Sequence, residues 1–429
     1  MLKFRRQSKF KETVVGEIPV DWEVAPLGDR SRFELIMGQS PPSKYYNHDR
    51  DGLPFVQGMT EFTELYVAPD TYTTEHPRVA PPQSVLVTVR APVGEVNLTE
   101  MKLCIGRGVA AVISKNGKGG NRFIFYALKG VKEYLAVVGE RGTTYDAITK
   151  DEIRQFQIPC PSQGEQTRIA TVLSCFDDLI ENKKRQNEIL EQTALAIFKS
   201  WFVDYEPSKS GEFASSDLGE IPKGWKIRAI GDTEIAILSK GLSYRSSDIS
   251  YEQKGQLFIT LNNFVRDGGF KPAYDYYVGT EARNEHRVKE GDLIIALTDM
   301  TAEARVVGAP AIVVLPDGYE CAVISLDCCK LSVLADHLKY YLYLLLKSSQ
   351  EDNASFANGV NVLHLNTKLF MQNKLVVIPD DTTLSRFQVL VEPLFDKILL
   401  NQKQIMLLRK IRDTLLPLLV FGKLRVVGL

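Results

Sequence analysis

The chain has 429 residues, of which 44% are hydrophobic and 24% charged, with 52 Lys and Arg against 53 Asp and Glu. That length exceeds one comfortable core and predicts two to four globular domains of ordinary composition, while the near-zero charge neither announces nor excludes a polyanionic partner. No window approaches the roughly 18 apolar residues that span a bilayer, six cysteines without a CxxC spacing read as reduced thiols of a cytoplasmic protein, and five histidines show no metal-ligand spacing.

In chain order, the basic start "MLKFRRQSKFK" lacks the apolar core of a signal peptide. The phrase "GEIPVDWEVAPLGD" (Gly16 to Asp29) then opens a strand-rich region closed by "RGTTYDAITKDEIRQFQIPCP". Next comes a stretch of helix formers in which Leu173, Phe176, Ile180, Lys183, Asn187, Leu190, Ala194, Ile197 and Trp201 recur at alternating three- and four-residue steps. That is a heptad seam. A segment rich in Ser and Pro, "DYEPSKSGEFASSDL", reads as a linker, and "GEIPKGWKIRAIGD" (Gly219 to Asp232) then repeats the opening phrase.

The second copy runs through "LKYYLYLLLK" (Leu338 to Lys347), too short for a membrane and read as a buried helix, to "NGVNVLHLNTKLFMQNKLVVIPD". A second heptad seam follows at Leu394, Ile398, Asn401, Ile405, Leu408, Arg412, Leu415 and Leu419. The recurring Trp22 and Trp225, beside Ile-Pro in both copies, read as anchors of a local core.

A narrow apolar stripe on a helix of about 35 residues, about 50 Å at 1.5 Å per residue, suits one partner helix. The two helices are therefore predicted to pair antiparallel. Lys183, Asn187 and Asn401 interrupt the seam and either fix its register or face water. The predicted fold class is α+β, with two pseudo-symmetric α/β domains separated by two long antiparallel helices that form a coiled-coil spacer. The predicted boundaries are 1–162 for the first domain, 163–205 for the first helix, 206–218 for the linker, 219–380 for the second domain, and 381–429 for the second helix and tail. A pseudo-two-fold object with unlike heads matches duplex DNA carrying two unlike half-sites, the spacer covering about one and a half helical turns.

Catalytic motifs are missing. There is no GxxxxGK[ST] loop, "NGKGGNR" (Asn116 to Arg122) reading as a surface turn, and no GxSxG elbow, zinc-deaminase signature or GxGxxG element. The Asn/Asp-Pro-Pro-aromatic run of amino-methyltransferases is likewise absent. The positions that recur are Gly, Pro, Ile and Trp, which build structure and give no shared reactive constellation to a duplicated enzyme.

Piece by piece, "FKETVVGEIPVDWEV", "SVLVTVRAPVGEV", "CIGRGVAAV" and "RGTTYDAIT…IPCPSQGEQTRIATVLSCFD" resemble the specificity subunit of Type I restriction-modification systems, and "ITLNNFVRDGGF" with "ALTDMT" resembles a second recognition domain of the same family. In the second copy the counterpart of "RGTT" is degraded to "NGVN". The resemblance implies two target recognition domains on a helical spacer, a non-catalytic subunit that binds a split sequence in double-stranded DNA. It implies as partners two methyltransferase subunits that methylate adenine with S-adenosylmethionine, and two restriction/translocase subunits, driven by ATP, that can join them. No cofactor is expected on this chain. The competing reading is a duplicated protein-interaction scaffold without DNA specificity, which a neutral charge and a heptad rod suit as well.

DNA contact needs donors on exposed turns. In the first copy the candidates are Lys44 and Tyr45 after "GQSPPS", Arg90 at the end of an alternating apolar run, Arg107 between Gly106 and Gly108, and Arg141 before Gly142. In the second they are Lys240, Ser243, Tyr244 and Arg245 in the corresponding stretch, Asn262 and Asn263 in "TLNNF", and Thr298 beside Asp299 in "ALTDMT". Solvated turns explain the first group equally, and capping or turn duty explains the Asn pair and Thr298. The charged faces of the first helix (Glu181 to Arg185, Glu188, Glu191) are read as partner-facing or solvated.

Overall fold

The computed structural model describes residues 3–133, 135, 147–301 and 303–427. The chain divides into a first unit, Met1–Ile180 with Leu408–Leu429, and a second, Glu181–Leu407, so each unit includes part of both long helices.

In the first unit a four-stranded antiparallel sheet has the order Val96–Leu98, Val85–Thr88, Val109–Ser114, Phe33–Met37. The central strand Val85–Thr88 is buried at every position, as its unbroken apolar run requires. A five-stranded sheet follows in the order Tyr46–Asn47, Tyr72–Thr73, Leu53–Val56, Leu103–Ile105, Val79–Ala80, with Leu53–Val56 parallel to Leu103–Ile105. The helix Gly117–Gly130 buries Phe123 to Leu128 in a core shared with Trp22, Ile158, Leu173 and Leu419. "NGKGGNR" is thus no surface turn: Gly120, Asn121 and Arg122 are buried, and the Asn121 amide oxygen accepts from the Ser114 N–H at 2.6 Å.

The second unit repeats these two sheets strand for strand. Its four-stranded sheet has the order Pro310–Ile312, Leu293–Ala296, Cys328–Val333, Ala236–Lys240, and its five-stranded sheet the order Ile249–Ser250, Asp275–Tyr277, Gln256–Ile259, Ala322–Ile324, Arg287–Val288. The parallel pair recurs, here between Gln256–Ile259 and Ala322–Ile324. "LKYYLYLLLK" contributes the helix Lys339–Ser348, whose tyrosines Tyr340, Tyr341 and Tyr343 are all buried. Among the described residues no helix is long and apolar enough to cross a membrane. The segment read as a linker contains the strand Phe213–Ser216, paired with Gly219–Pro222, because Ser216 closes the turn by donating to the Gly219 carbonyl.

The opening phrase recurs because it plugs each unit. Trp22 is buried, its indole N–H donates to Glu165 at 3.2 Å, and the Arg425 guanidinium lies over its ring. Trp225 is buried against the rings of Phe202 and Tyr205.

The long helices are Gln163–Phe202 and Asp381–Val420, each 40 residues. They run antiparallel in both units. In the second, Phe202 packs edge-on against Phe387, Asn187 accepts from Asn401, and Lys183 donates to Gln404, so partners fall in number on one helix as they rise on the other. In the first, Arg412 meets Asp177, and Leu173 shares a core with Leu419. Every seam position is buried or half-buried, including Phe176, Ile180, Leu190, Ile197, Trp201, Leu394, Ile398, Ile405, Leu408 and Leu415. The polar interruptions face inward: Asn401 is fully buried, and its amide donates to Asn187 at 2.9 Å while its carbonyl accepts from Lys183 at 3.4 Å. A polar cluster of this kind fixes register, since sliding either helix would leave an amide buried without partners.

Candidate nucleic-acid interface

At one edge of each unit, five chain segments are held together by the same backbone hydrogen bonds. In the first unit Gly38 donates to Val109, Gln39 to Ile105, Gly106 to Val56, Val89 to Gly108 and Ile148 to Val89, at 2.8–3.0 Å. In the second, Gly241 donates to Cys328, Leu242 to Ile324, Ser325 to Ile259, Leu297 to Asp327 and Leu365 to Leu297, at 2.7–3.1 Å. One ladder is the other transposed. Gly38 thereby corresponds to Gly241, Gln39 to Leu242, Gln57 to Thr260, Arg90 to Thr298, and Arg107 to Leu326.

The two glycines are required by close approach. A methyl on Gly38 would run into the Gly106 carbonyl oxygen, and one on Gly241 into that of Ser325. Ser40 reinforces the first platform, its hydroxyl oxygen accepting from the Arg107 N–H at 3.1 Å.

The candidates of the first unit fall partly on this platform. Arg90 and Arg107 are exposed on adjoining loops, Arg90 facing Ala147 across an isolated bridge. Lys44 and Tyr45 lie on the short helical turn Ser43–Tyr45, where the ammonium stands 4.8 Å from the ring centre, a cation–π contact that keeps the charge at the surface. Arg141 lies outside the described residues. Gln39 and Gln57, both exposed on the platform, escaped the sequence reading. The signal for Gln57 was the same as for Arg90, a polar residue ending an apolar run just before a turn.

In the second unit Lys240, Ser243, Tyr244 and Arg245 are exposed in one stretch around Gly241. The Tyr244 ring packs edge-on against Phe258, which burial-driven elevation of the phenol pKa accompanies, so it remains a neutral hydroxyl. Asn262 is exposed, but Asn263 is not available to a ligand. It is fully buried, its carbonyl accepting from the Thr260 N–H and its amide donating to the Lys271 and Ala273 carbonyls. Turn duty wins there. Thr298 is also buried, its hydroxyl donating to Asp327 at 3.1 Å, and its neighbour Asp299 accepts from the N–H groups of Thr301, Val306 and Val307. Although burial opposes it, those bonds and the Thr301 hydroxyl hold the Asp299 carboxyl below the usual range. Both residues hold the loop instead of displaying themselves.

The structure adds an apolar group at this edge that sequence reasoning missed. Leu326 is 50% exposed, Met300 73% and Val360 98%. Thr298 pairs with His364 and Asp299 with Leu363, so Met300 leaves the three-stranded sheet at the same end as the hairpin loop 359–362. On the first long helix, Glu191 is not simply solvated: it accepts from Tyr343 at 2.6 Å and pairs with Lys347 at 3.1 Å. Among the described residues no group of three or more His, Cys, Asp or Glu could hold a metal ion.

Residues 19–192 match the family described as the Type I restriction modification DNA specificity domain. The specificity subunit of the Type I restriction enzyme MjaIX of Methanocaldococcus jannaschii is 34% identical over 443 residues, covering 99% of both chains. The chain belongs to the Type I restriction enzyme specificity subunits. A putative MjaX specificity subunit of the same organism is 45% identical over 188 residues, 44% of each chain. The crystal structure of a Type I restriction-modification S subunit from M. genitalium superposes with a TM-score of 0.55 at 18% identity, covering 96% of this chain and 99% of that one, which establishes a shared fold. In this specificity subunit, then, the duplicated platforms are the structural feature to be matched to a target.

Proposed function

We propose that the chain is the sequence-reading, non-catalytic subunit of a Type I restriction-modification complex, with each platform reading one half of a bipartite, asymmetric duplex target. The observation that carries this reading is the platform itself, built twice by one hydrogen-bond ladder and bearing different side chains each time. Identical backbones with unlike displays suit two unlike half-sites, whereas a duplicated enzyme would repeat its reactive groups. Adenine methylation, with S-adenosylmethionine, belongs to two methyltransferase subunits docked on the long helices, and ATP-driven cleavage to up to two restriction subunits. Exposed apolar side chains off the seam, Leu179 and Ile189 on the first helix and Val389, Leu400 and Leu407 on the second, support docking there.

Binding of the full chain with its methyltransferase partner to duplexes of varied half-site and spacing tests the reading. Phosphate contacts release counterions with a log–log salt slope of about −0.9 per phosphate, so six contacts give a slope of about −5. Sequence-blind binding, or affinity indifferent to salt, would refute it.

A further inference from the structure

The two platforms share a backbone and differ in chemistry, position by position. In the first unit Gln39, Gln57, Arg90 and Arg107 are all exposed, and all are long side chains able to form paired hydrogen bonds. Their counterparts in the second unit are Leu242 and Thr298, both buried, Thr260, half-buried, and Leu326, half exposed. At these four positions the side chains able to form paired hydrogen bonds are gone. In place of Arg107 stands the exposed Leu326, and the exposed Met300 and Val360 lie on adjoining loops.

Scattered exposed apolar residues need no explanation. Leu326, standing where the first copy has Arg107, with Met300 and Val360 on adjoining loops, calls for one. In the major groove, Arg forms paired bonds with O6 and N7 of guanine, and an apolar side chain finds one feature to touch, the C5-methyl group of thymine. Lys240 and Arg245 are exposed on either side of Gly241, as donors to phosphate need to be, so affinity need not come from the apolar group.

We infer that the half-sites differ in base chemistry: the first unit reads guanine edges through Arg107 and Arg90, and the second reads thymine methyl groups through Leu326, Met300 and Val360. This rests on the DNA-reading function proposed above.

The test uses the full chain with its methyltransferase partner on duplexes carrying the target found by methylation mapping. In one half-site at a time, thymidine is replaced by deoxyuridine, which lacks only the methyl, or deoxyguanosine by its 7-deaza analogue, which lacks only the N7 acceptor. Uracil in the second unit's half-site is expected to weaken binding about fourfold per contacted methyl, and to do nothing in the other half. Deazaguanine is expected to weaken binding on the order of tenfold in the first unit's half-site alone. The triple variant Leu326→Ser, Met300→Ser, Val360→Ser changes only exposed side chains, so it folds, and it is expected to lose the discrimination between thymine and uracil. Equal affinity for thymine and uracil duplexes in both halves, with specific two-part binding intact, overturns this inference and leaves the proposed function standing. Absence of any specific two-part binding overturns both.

Discussion

Arg412 and Asp177 give the sharpest test of how the helices are packed in the first unit. The Asp177 carboxylate is 2% exposed and has two side-chain donors, the Arg412 guanidinium at 2.6 Å and the Tyr126 hydroxyl at 2.5 Å. Arg412, 9% exposed along its side chain, also reaches Glu64 at 3.1 Å and Asp413 at 2.8 Å. Burial opposes its charge, but bonds to Asp413 and Asp177 outweigh that and raise its pKa. Arg412→Ala strands a buried carboxylate on a single phenol donor, whereas Glu64 keeps its two bonds from Arg409. Breaking a buried pair by removing one partner costs about 3–5 kcal/mol. In a unit of this size each kcal/mol moves Tm by about 2–4 °C, which predicts a drop of about 6–20 °C for its transition. Removing both charges together, as Asp177→Leu with Arg412→Met, is predicted to cost less than the two single changes summed, by at least about 1 kcal/mol. Calorimetry on the four proteins of this cycle and on Arg412→Ala supplies the numbers. Additivity within about 0.5 kcal/mol, or a shift below 1 kcal/mol for Arg412→Ala, would refute the antiparallel register that joins these positions.

Three further outcomes are expected. Asp299 has a folded pKa below its ordinary 3.8, so it stabilises the second unit above that value and the contribution fades as pH falls below about 4; Asp299→Asn should flatten this acid limb in pH-dependent melting, and an unchanged limb would contradict the assignment. Gly38→Ala and Gly241→Ala each push a methyl into a backbone carbonyl, so each should cost about 1–3 kcal/mol and weaken recognition of one half-site only, read by melting and by binding to half-substituted duplexes. Deleting one heptad from each long helix at facing positions shortens each by about 10 Å, and should reduce the preferred half-site spacing by about 3 base pairs while leaving both half-site sequences unchanged.

The helices were legible because a heptad is a local signal: alternating three- and four-residue steps identify the buried side before any partner is known, and Leu173, Asn401 and Leu419 all face inward as their spacing requires. The duplication was legible from "GEIP" and Trp22 and Trp225, which seal each core. The platforms were not, because they are made by backbone hydrogen bonds between residues far apart in the chain, such as Gly38 with Val109 and Ile148 with Val89. Strand ends tell that a polar residue meets a turn, not whether it points out. Arg90 points out and Thr298, its counterpart, points in toward Asp327. Asn263 and its neighbour Asn262 look alike in sequence, yet only the former closes the loop. Met300 and Val360 drew no notice because an isolated apolar residue in a turn carries no pattern; their meaning comes from the sheet that sets them at one edge.

The division of labour between platforms can be read directly by mapping genomic adenine methylation in cells carrying this chain and its methyltransferase partner, with Arg107→Ala and Val360→Ser in parallel. The account predicts a single two-part motif of unlike halves in which each substitution relaxes one half and leaves the other intact. A contiguous motif, or a substitution in one unit that alters both halves, would contradict it.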